Sequence, residues 1–583
     1  MIISALCDYY RRRLECSSES GEIVLGFEKL QVPNLIVIDR DGKFVRMDST
    51  CDDKDKKGRR YLLPAKRSRS TNITPNYLYD SAQYILGVSL KKDEKPTPKK
   101  LESFIRSVSE IATAIGDTDG GAVAAIKSFY STGGLDTLLA SDCWRNEKLI
   151  DGWTSFILSD EPVPIPCMDK VASFLGGMIS DEIDNTEGPS ARCLATGKMA
   201  PIERTHGKVS VCGKNINLIS FQKNQGLDFH DRSQGGNAPI SKEAAKAYTG
   251  AINLLAKSKS NRIHIGETDI LFWAADKNME KMEEAIYGVI SGPSSDNPDT
   301  GVKNLRSVFT AACGDYTPIA DIDKRFYVLG LYAANQGRAA VRFWKNGTIR
   351  DIARNILRHF DDMSISNGKN DMTGDNIAHP SFARIKNAMM TRKERESKTK
   401  VSPDALMSSI VMSIFDGTSY PLAVLEKILL VIHKDKCVTR DQAAIARGFV
   451  CRNQNKEVSM GLDTTVKCVG YCTGRLFAVY ERLQFEASGN RKVSSDIADR
   501  YFPSIMDAPA STIEKISKES RYHQNKLNRD KKGRAIYFQK LIGSIYNHID
   551  GRGGIPTRRT PEITASFIVG YHHQQQDFFV KKS

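Results

Sequence analysis

Eight cationic side chains crowd one short stretch of this chain: Lys54, Lys56, Lys57, Arg59, Arg60, Lys66, Arg67 and Arg69. Asp55 is the single acid among them. Ser70, Thr71, Asn72, Thr74 and Asn76 follow directly. The order has a chemical meaning. Lysine and arginine hold phosphate oxygens without reading sequence, whereas short amide and hydroxyl side chains reach base edges once the phosphates have fixed the register. The eight cations are therefore candidate phosphate ligands, and Thr71, Asn72 and Asn76 are candidate base readers. A solvated basic loop is the competing explanation.

A second concentration comprises Lys515, Lys518, Arg521, Lys526, Arg529, Lys531, Lys532 and Arg534, interleaved with Tyr522 and His523. On a helix these residues line one or two faces, which suits the backbone of a single-stranded nucleic acid. A solvated helix face is again the alternative. A third, weaker group is Asn335-Gln336-Gly337-Arg338 with Arg342, a polar hairpin tip beside Phe343 and Trp344, both expected in a core.

Bulk charge agrees with a polyanionic partner. The 583 residues include 84 Lys and Arg against 69 Asp and Glu, a net charge of +15. Apolar runs such as Ile428–Ile432 are far too short for a membrane span, and the N-terminus lacks the order of a signal peptide. Nucleic acid, not a membrane, is the expected partner, and the cytoplasm the expected location. The twelve cysteines form no CxxC pair, and Cys468 and Cys472 lie one helical turn apart in an apolar pattern. Reduced thiols without zinc are expected.

Catalytic signatures are scarce. Ala195-Thr196-Gly197-Lys198 lacks the leading glycine and the following serine or threonine of a phosphate-binding loop, and is expected to be a turn. His572-His573 has no framing acidic cluster, and Asp39 with Asp41 belongs to a hairpin turn. No metal, no cofactor and no enzymatic activity are expected.

The elements that must carry these residues divide into two kinds. Asn34–Asp39, Asp41-Gly42 and Lys43–Met47 spell a β-hairpin. The basic segment follows it, and a helix from Pro75 to Leu86-Gly87 is predicted to close it. Helix is predicted from Lys99 to Leu158. Strand pairs follow at Val209–Cys212 with Asn217–Phe221, Ile263–Ile265 with Ile270–Trp273, and Phe326–Tyr332 with Ala339–Trp344. Their short connections favour antiparallel sheets over βαβ crossovers. From His379 onward the pattern is helical: Ser402-Pro403 starts a helix that Gly417 ends, and Val469, Cys472, Leu476, Val479 and Leu483 form a one-face stripe. Ser511 with Glu514 suggests a capping box, and Thr560-Pro561 opens the last helix. The expected class is α+β: a mixed α/β N-terminal domain with antiparallel sheets over residues 1–378, then an all-α helical bundle over 379–583.

Several stretches together resemble one family. They are Leu6-Cys7-Asp8-Tyr9-Tyr10, Pro33–Asp39, Asn72–Asn76 with Leu86-Gly87, Asn237–Ser241, Asp323–Leu331, Val341–Trp344, Gly474–Val479 and Asp499–Phe502. In this collinear order the chain resembles the Csd-type large subunit of the type I-C CRISPR Cascade surveillance complex. The resemblance implies a non-catalytic subunit that recognises the protospacer-adjacent motif in duplex DNA, stabilises the R-loop, and supports recruitment of a helicase-nuclease. Sequence would then be read by guide-RNA pairing. Implied partners are target DNA, the guide-RNA ribonucleoprotein, and the backbone, RNA-processing and small subunits. The family's motif-reading region is N-terminal, so Asn72 and its basic surroundings inherit that role. The resemblance also implies a small subunit made from an internal start. Met460 would release residues 460–583, with 20 Lys and Arg against 12 Asp and Glu. Competing classes are a nuclease acting on the same nucleic acid and a purely structural scaffold of a ribonucleoprotein.

Overall fold

A computed structural model describes the chain except residues 18–25, 52–56, 68–72, 89–97, 118–119, 142–151, 185–189, 222–231, 277–279, 292–297, 314–322, 335–336, 367–378, 397–401, 492–494, 550–553 and 580–583. Its class is α+β. The chain folds as two compact units, one of Tyr10–Arg204 with Gly226–Ala247, the other of Met1–Tyr9, Thr205–Gln225 and Tyr248–Ser583. The first helix, α1 (Ile2–Ser17), buries Leu6 and Tyr10 as its apolar spacing predicts, with Ile3 half-buried.

In the first unit, strands β1 (Phe27–Gln31), β2 (Asn34–Ile38), β3 (Phe44–Ser49), β4 (Arg60–Pro64), β5 (Tyr79–Ser81) and β6 (Trp153–Leu158) make two layers. One is a four-stranded sheet in the order β3-β2-β6-β5; the other is the antiparallel ribbon β1-β4. β2 is buried along its whole length because both faces are covered. Helices α2 (Ala82–Ile85), α3 (Pro98–Ala114), α4 (Ala122–Ser131) and α5 (Gly134–Ala140) follow β5. Phe104, Val108, Ile126 and Phe129 from α3 and α4 pack with Ile36, Ile38 and Phe156 on one side. On the other, Leu30 and Leu63 of the ribbon pack with Leu35 and Tyr79. Past β6 come α6 (Asp169–Asp184) and a small hairpin, β7 (Ser190–Arg192) with β8 (Met199–Pro201).

The β2-β3 hairpin forms where Asp-Gly predicts it. Asp39 Oδ1 accepts from the Asp41 and Lys43 amides at 3.0 and 2.7 Å, a side-chain-stabilised turn. Gly42 takes φ +83°, and a Cβ there would lie 2.5 Å from the Phe129 amide nitrogen, so only glycine fits. Three expectations need correction. β2 and β6 pair in parallel, because the chain between them crosses over through the intervening helices. Residues 75–86 form β5 and one short helical turn, since Tyr79 and Asp80 complete the sheet beside β6. Trp153–Leu158, read as the end of a helical stretch, is β6.

The second unit holds hairpin β9 (Val209–Val211) with β10 (Lys214–Ile216), so the turn falls at Cys212-Gly213 and the partner strand precedes the predicted 217–221. Helix α7 (Lys242–Lys257) crosses the division between units. The antiparallel sheet is β11 (Arg262–Ile265), β12 (Thr268–Ala274), β13 (Arg325–Ala334) and β14 (Arg338–Thr348). Helices α8 (Glu280–Ser291) and α9 (Asp299–Cys313) lie between β12 and β13. The rest are α10 (Ile349–Met363), α11 (Phe382–Ala388), α12 (Arg392–Glu396), α13 (Asp404–Asp416), α14 (Leu422–Asp435), α15 (Arg440–Asn453), α16 (Val469–Ala487), α17 (Ile497–Asp507), α18 (Pro509–Asp530), α19 (Lys532–Tyr546) and α20 (Pro561–Asp577). One continuous core runs from Phe272 and Val328 of the sheet through Ile356 and Ile414 to Leu476 and Phe567. Packing therefore does not change where the last strand gives way to helix, between Thr348 and Ile349, and the core also runs past residue 379.

Helix ends mostly follow their signals. Gly417 closes α13 at φ +69°, and Thr560 caps α20 by accepting from the Ile563 amide. The box expected at Ser511 is absent: α18 starts at Pro509, Ser511 lies inside its first turn, and Glu514 pairs with Lys518 at 2.6 Å.

Candidate nucleic-acid interface

Backbone geometry fixes both roots of the basic segment. Thr50 Oγ1 donates to the Val32 carbonyl at 2.5 Å and accepts from the Arg59 amide at 2.9 Å. The Val32 amide donates to the Arg59 carbonyl at 3.0 Å. Gly58, at φ +85°, approaches Pro33 so closely that a Cβ would sit 2.6 Å from its Cα. The loop between β3 and β4 is thus pinched at its base, and Lys57, Arg59 and Arg60 emerge exposed from that pinch. Lys54 and Lys56 fall outside the described residues.

At the far end of β4 the cations sit on rings. Lys66 Nζ lies 5.0 Å from the Trp153 ring centroid and the Arg67 guanidinium 4.8 Å from Tyr77. Their amides are held as well, Lys66 to Glu28 Oε1 at 3.2 Å and Arg67 to Asn76 Oδ1 at 3.0 Å. Such anchoring lowers the entropy lost when a guanidinium or ammonium meets a phosphate. Arg69, Thr71 and Asn72 lie outside the described residues, within a stretch whose two ends, Arg67 and Asn76, are tied together by that bond.

Asn76 needs correction as a base reader. Its side chain is 1% exposed, and its own amide donates to Asp80 Oδ2 at 2.8 Å. It accepts from the Arg67 amide and does not itself reach solvent. The sequence shows an amide residue; only the fold shows which way it faces.

On α18 the second basic concentration resolves into a stripe. Lys515, Lys518, Tyr522, Lys526 and Arg529 step by three and four residues and are all exposed, opposite the buried Ile513, Ile516 and Leu527. Tyr522 is 68% exposed. The stripe is about 21 Å long at ~1.5 Å rise per residue. Arg521 is exposed beside it, and Lys531 and Lys532 are exposed at the junction with α19. Arg534 leaves the group: it pairs with Glu486 at 2.6 Å and covers Tyr537 and Phe538. Arg342 of the third group is likewise structural, donating to Thr268 and Ser408 and lying over Tyr332. Asn335 and Gln336 lie outside the described residues.

His572 and His573 are both buried, and burial pushes them down to about 4 and about 3. Tyr471 Oη lies 3.1 Å from His573 Nδ1, so the pair belongs to the packing of α20. The sign of the pH effect follows. Their folded values lie below the unfolded value near 6.5, so the unfolded chain binds more protons and stability falls as pH drops from about 6.5 toward 4. His572→Gln is expected to make the dependence of unfolding free energy on pH shallower across that window. An unchanged slope in denaturant titrations would contradict the burial of His572.

One cluster was not legible in the sequence. Cys212, His264 and Asp269 bring potential ligand atoms within 4.8 Å of one another. Asp269 is already engaged: its Oδ1 meets Arg262 Nε and Nη2 at 3.1 and 3.0 Å and His264 Nδ1 at 2.8 Å, while Oδ2 accepts from the Cys212 amide at 2.6 Å. The guanidinium supplies a positive partner to the buried carboxylate. The cluster joins hairpin β9-β10 to β11-β12, contributed by two hairpins that no sequence spacing relates.

Met460 lies in the turn between α15 and α16, 44% exposed, its carbonyl accepting from the Ser366 amide at 2.8 Å. Just before it, the buried Arg447 guanidinium binds the Asp361, Asp362, Val458 and Ser459 carbonyls. A product starting at Met460 would lack that tether and keep α16 to α20.

No described helix is long and apolar enough to cross a membrane. A family model described as CRISPR-associated protein (Cas_Csd1) matches residues 6–579. No curated protein matches the chain.

Proposed function

The chain belongs to the Cas_Csd1 family of CRISPR-associated proteins, as a Csd-type large subunit tied to antiviral defence, and from that premise we propose that it is the DNA-motif-recognising subunit of a type I-C Cascade. The basic segment between β3 and β5 holds duplex phosphates, and Thr71 and Asn72, which follow it in sequence, contact base edges. The observation that carries this reading is the exposed cluster of Lys57, Arg59 and Arg60 on a pinched loop, with Lys66 and Arg67 seated on aromatic rings at the other end of the same ribbon. Phosphate contacts set register; the neighbouring short polar side chains read.

The α18 stripe contacts the backbone of a displaced or target strand once the R-loop opens. The subunit works in the cytoplasm without catalysing cleavage, beside the guide-RNA ribonucleoprotein and the backbone, RNA-processing and small subunits. A helicase-nuclease follows it. Residues 460–583, begun at Met460, act separately as the small subunit.

Asn72→Ala is expected to cost about 1–3 kcal/mol on motif-containing duplex only, since one bidentate base contact supplies discrimination of that size. Binding to motif-bearing and motif-free duplexes is compared by anisotropy. Equal losses on both would remove the base-reading role. Incubating the purified chain with Mg²⁺ or Mn²⁺ and labelled DNA or RNA tests the nuclease alternative, and specific cleavage would displace the non-catalytic one.

A further inference from the structure

A cavity of about 330 Å³ opens where α16 and α20 end, away from the stripe residues of α18 in sequence. Its walls are Phe485, Phe578 and Phe579, and the Arg482 guanidinium lies 5.3, 5.9 and 5.7 Å from those three rings. Glu481 forms part of the lining with one oxygen committed: Oε2 accepts from Tyr571 Oη at 2.8 Å and Gln575 Nε2 at 3.1 Å. Arg491 and Asp496 complete the charged lining; Asp496 Oδ1 caps α17 through the Asp499 amide. Arg491 is exposed and Phe579 is 53% exposed, so one cation and one ring stand at the solvent side.

The shape and chemistry are those of a site for a flat, partly polar ring. Aromatic and guanidinium faces stack planar heterocycles. A carboxylate oxygen accepts from an exocyclic amino group, as acidic side chains do from cytosine N4. Arg491 at the mouth supplies charge for the phosphate such a ring carries. A purely apolar ligand would leave Glu481 without use, and a simple cation would compete with Arg482 for the same rings. We propose that this cavity takes one unpaired nucleobase bearing an exocyclic amino group, drawn from a single strand. The proposal rests on the C-terminal helices contacting a single strand, and it adds a base site to that backbone contact.

The test uses the full chain and thymidine oligonucleotides with one central substitution. With 2-aminopurine at the centre, wild type should quench its fluorescence on binding, and Phe579→Ala should bind this strand roughly 5- to 150-fold more weakly, the range for losing one aromatic stack. A central cytosine should bind more tightly than a central thymine, and Glu481→Gln should erase that preference while circular dichroism and Tm show a folded chain. If Phe579→Ala and Glu481→Gln bind every strand as wild type does, while Lys515→Gln with Lys526→Gln weakens all of them, the base site is wrong and the backbone contact stands. Failure of wild type to bind any strand would remove both. Competition by free dCMP at concentrations matching the strand would overturn the single-strand source in favour of a free nucleotide.

Discussion

Changing Lys57, Arg59, Arg60 and Lys66 together to glutamine is expected to flatten the salt dependence of duplex binding by about 3–4 in the slope of log K against log salt. Each phosphate neutralised by a cation releases counterions worth about 0.9 in that slope. Over a rise from about 50 to 200 mM salt, the wild-type chain should lose roughly 100-fold more affinity than the variant. The effect should be the same for every duplex sequence, because phosphates carry no sequence information. Folding should be spared, since Lys57, Arg59, Arg60 and Lys66 are exposed and the pinch beneath them is made by Thr50, Gly58 and backbone groups. Affinity measured at four salt concentrations on two duplexes decides it. An unchanged slope would return the segment to a solvated loop; an assembled complex whose target binding is indifferent to the change would leave the scaffold as the better account.

The contrast with Asn72→Ala is the diagnostic part. One change alters all duplexes and the salt slope; the other alters one duplex and not the slope. A chain that showed the first pattern for both substitutions would hold DNA without reading it.

How much of this was visible in the sequence depends on whether the signal was local. Asp41-Gly42 specified its hairpin because the turn chemistry is contained in two residues, and Gly417 and Thr560 ended and opened helices for the same reason. The parallel β2-β6 pair was hidden because its partners are 120 residues apart. Tyr79 and Asp80 took strand geometry from the neighbouring β6, not from their own pattern. The strands end at Thr348, well before residue 379, and Phe272 and Leu476 share a core, since a change of element is not a change of packing. For the interface, charge was legible and direction was not. Lys515, Lys518, Lys526 and Arg529 face solvent together, whereas Arg534 in the same run turned to Glu486 and Asn76 turned inward. Neither direction is written in the run of charges itself.

Gly474→Val is expected to destabilise the C-terminal helices by more than about 3 kcal/mol, and Gly570→Val equally, because α16 and α20 meet backbone against backbone. A Cβ on Gly474 would lie 2.1 Å from the Phe567 carbonyl oxygen, one on Gly570 2.1 Å from that of Tyr471, and one on Gly470 2.4 Å from that of Ile563. Carbonyls inside a helix cannot swing aside as a side-chain tip can, so the helices must separate. Separation would open the cluster of Phe477, Phe502, Phe567 and Tyr571, whose rings stack and meet edge to face. Even alanine should destabilise at these positions, although it improves helix propensity by about 1 kcal/mol. Gly543 supplies the control: it lies in α19 with nothing within 4 Å of its would-be Cβ, so Gly543→Ala should raise stability by about 0.5–1 kcal/mol. The same substitution thus changes sign with the space around it, and thermal unfolding of Gly474→Ala, Gly570→Ala and Gly543→Ala reads that sign directly. Because α16, α20 and every glycine of this contact fall within residues 460–583, a fragment begun at Met460 should keep the interlock, resist proteolysis, and lose that resistance on Gly474→Val. A fragment that is digested as fast as its valine variant would show that these helices need α15 and Arg447 to hold together, and would remove the separate small subunit from the proposed function.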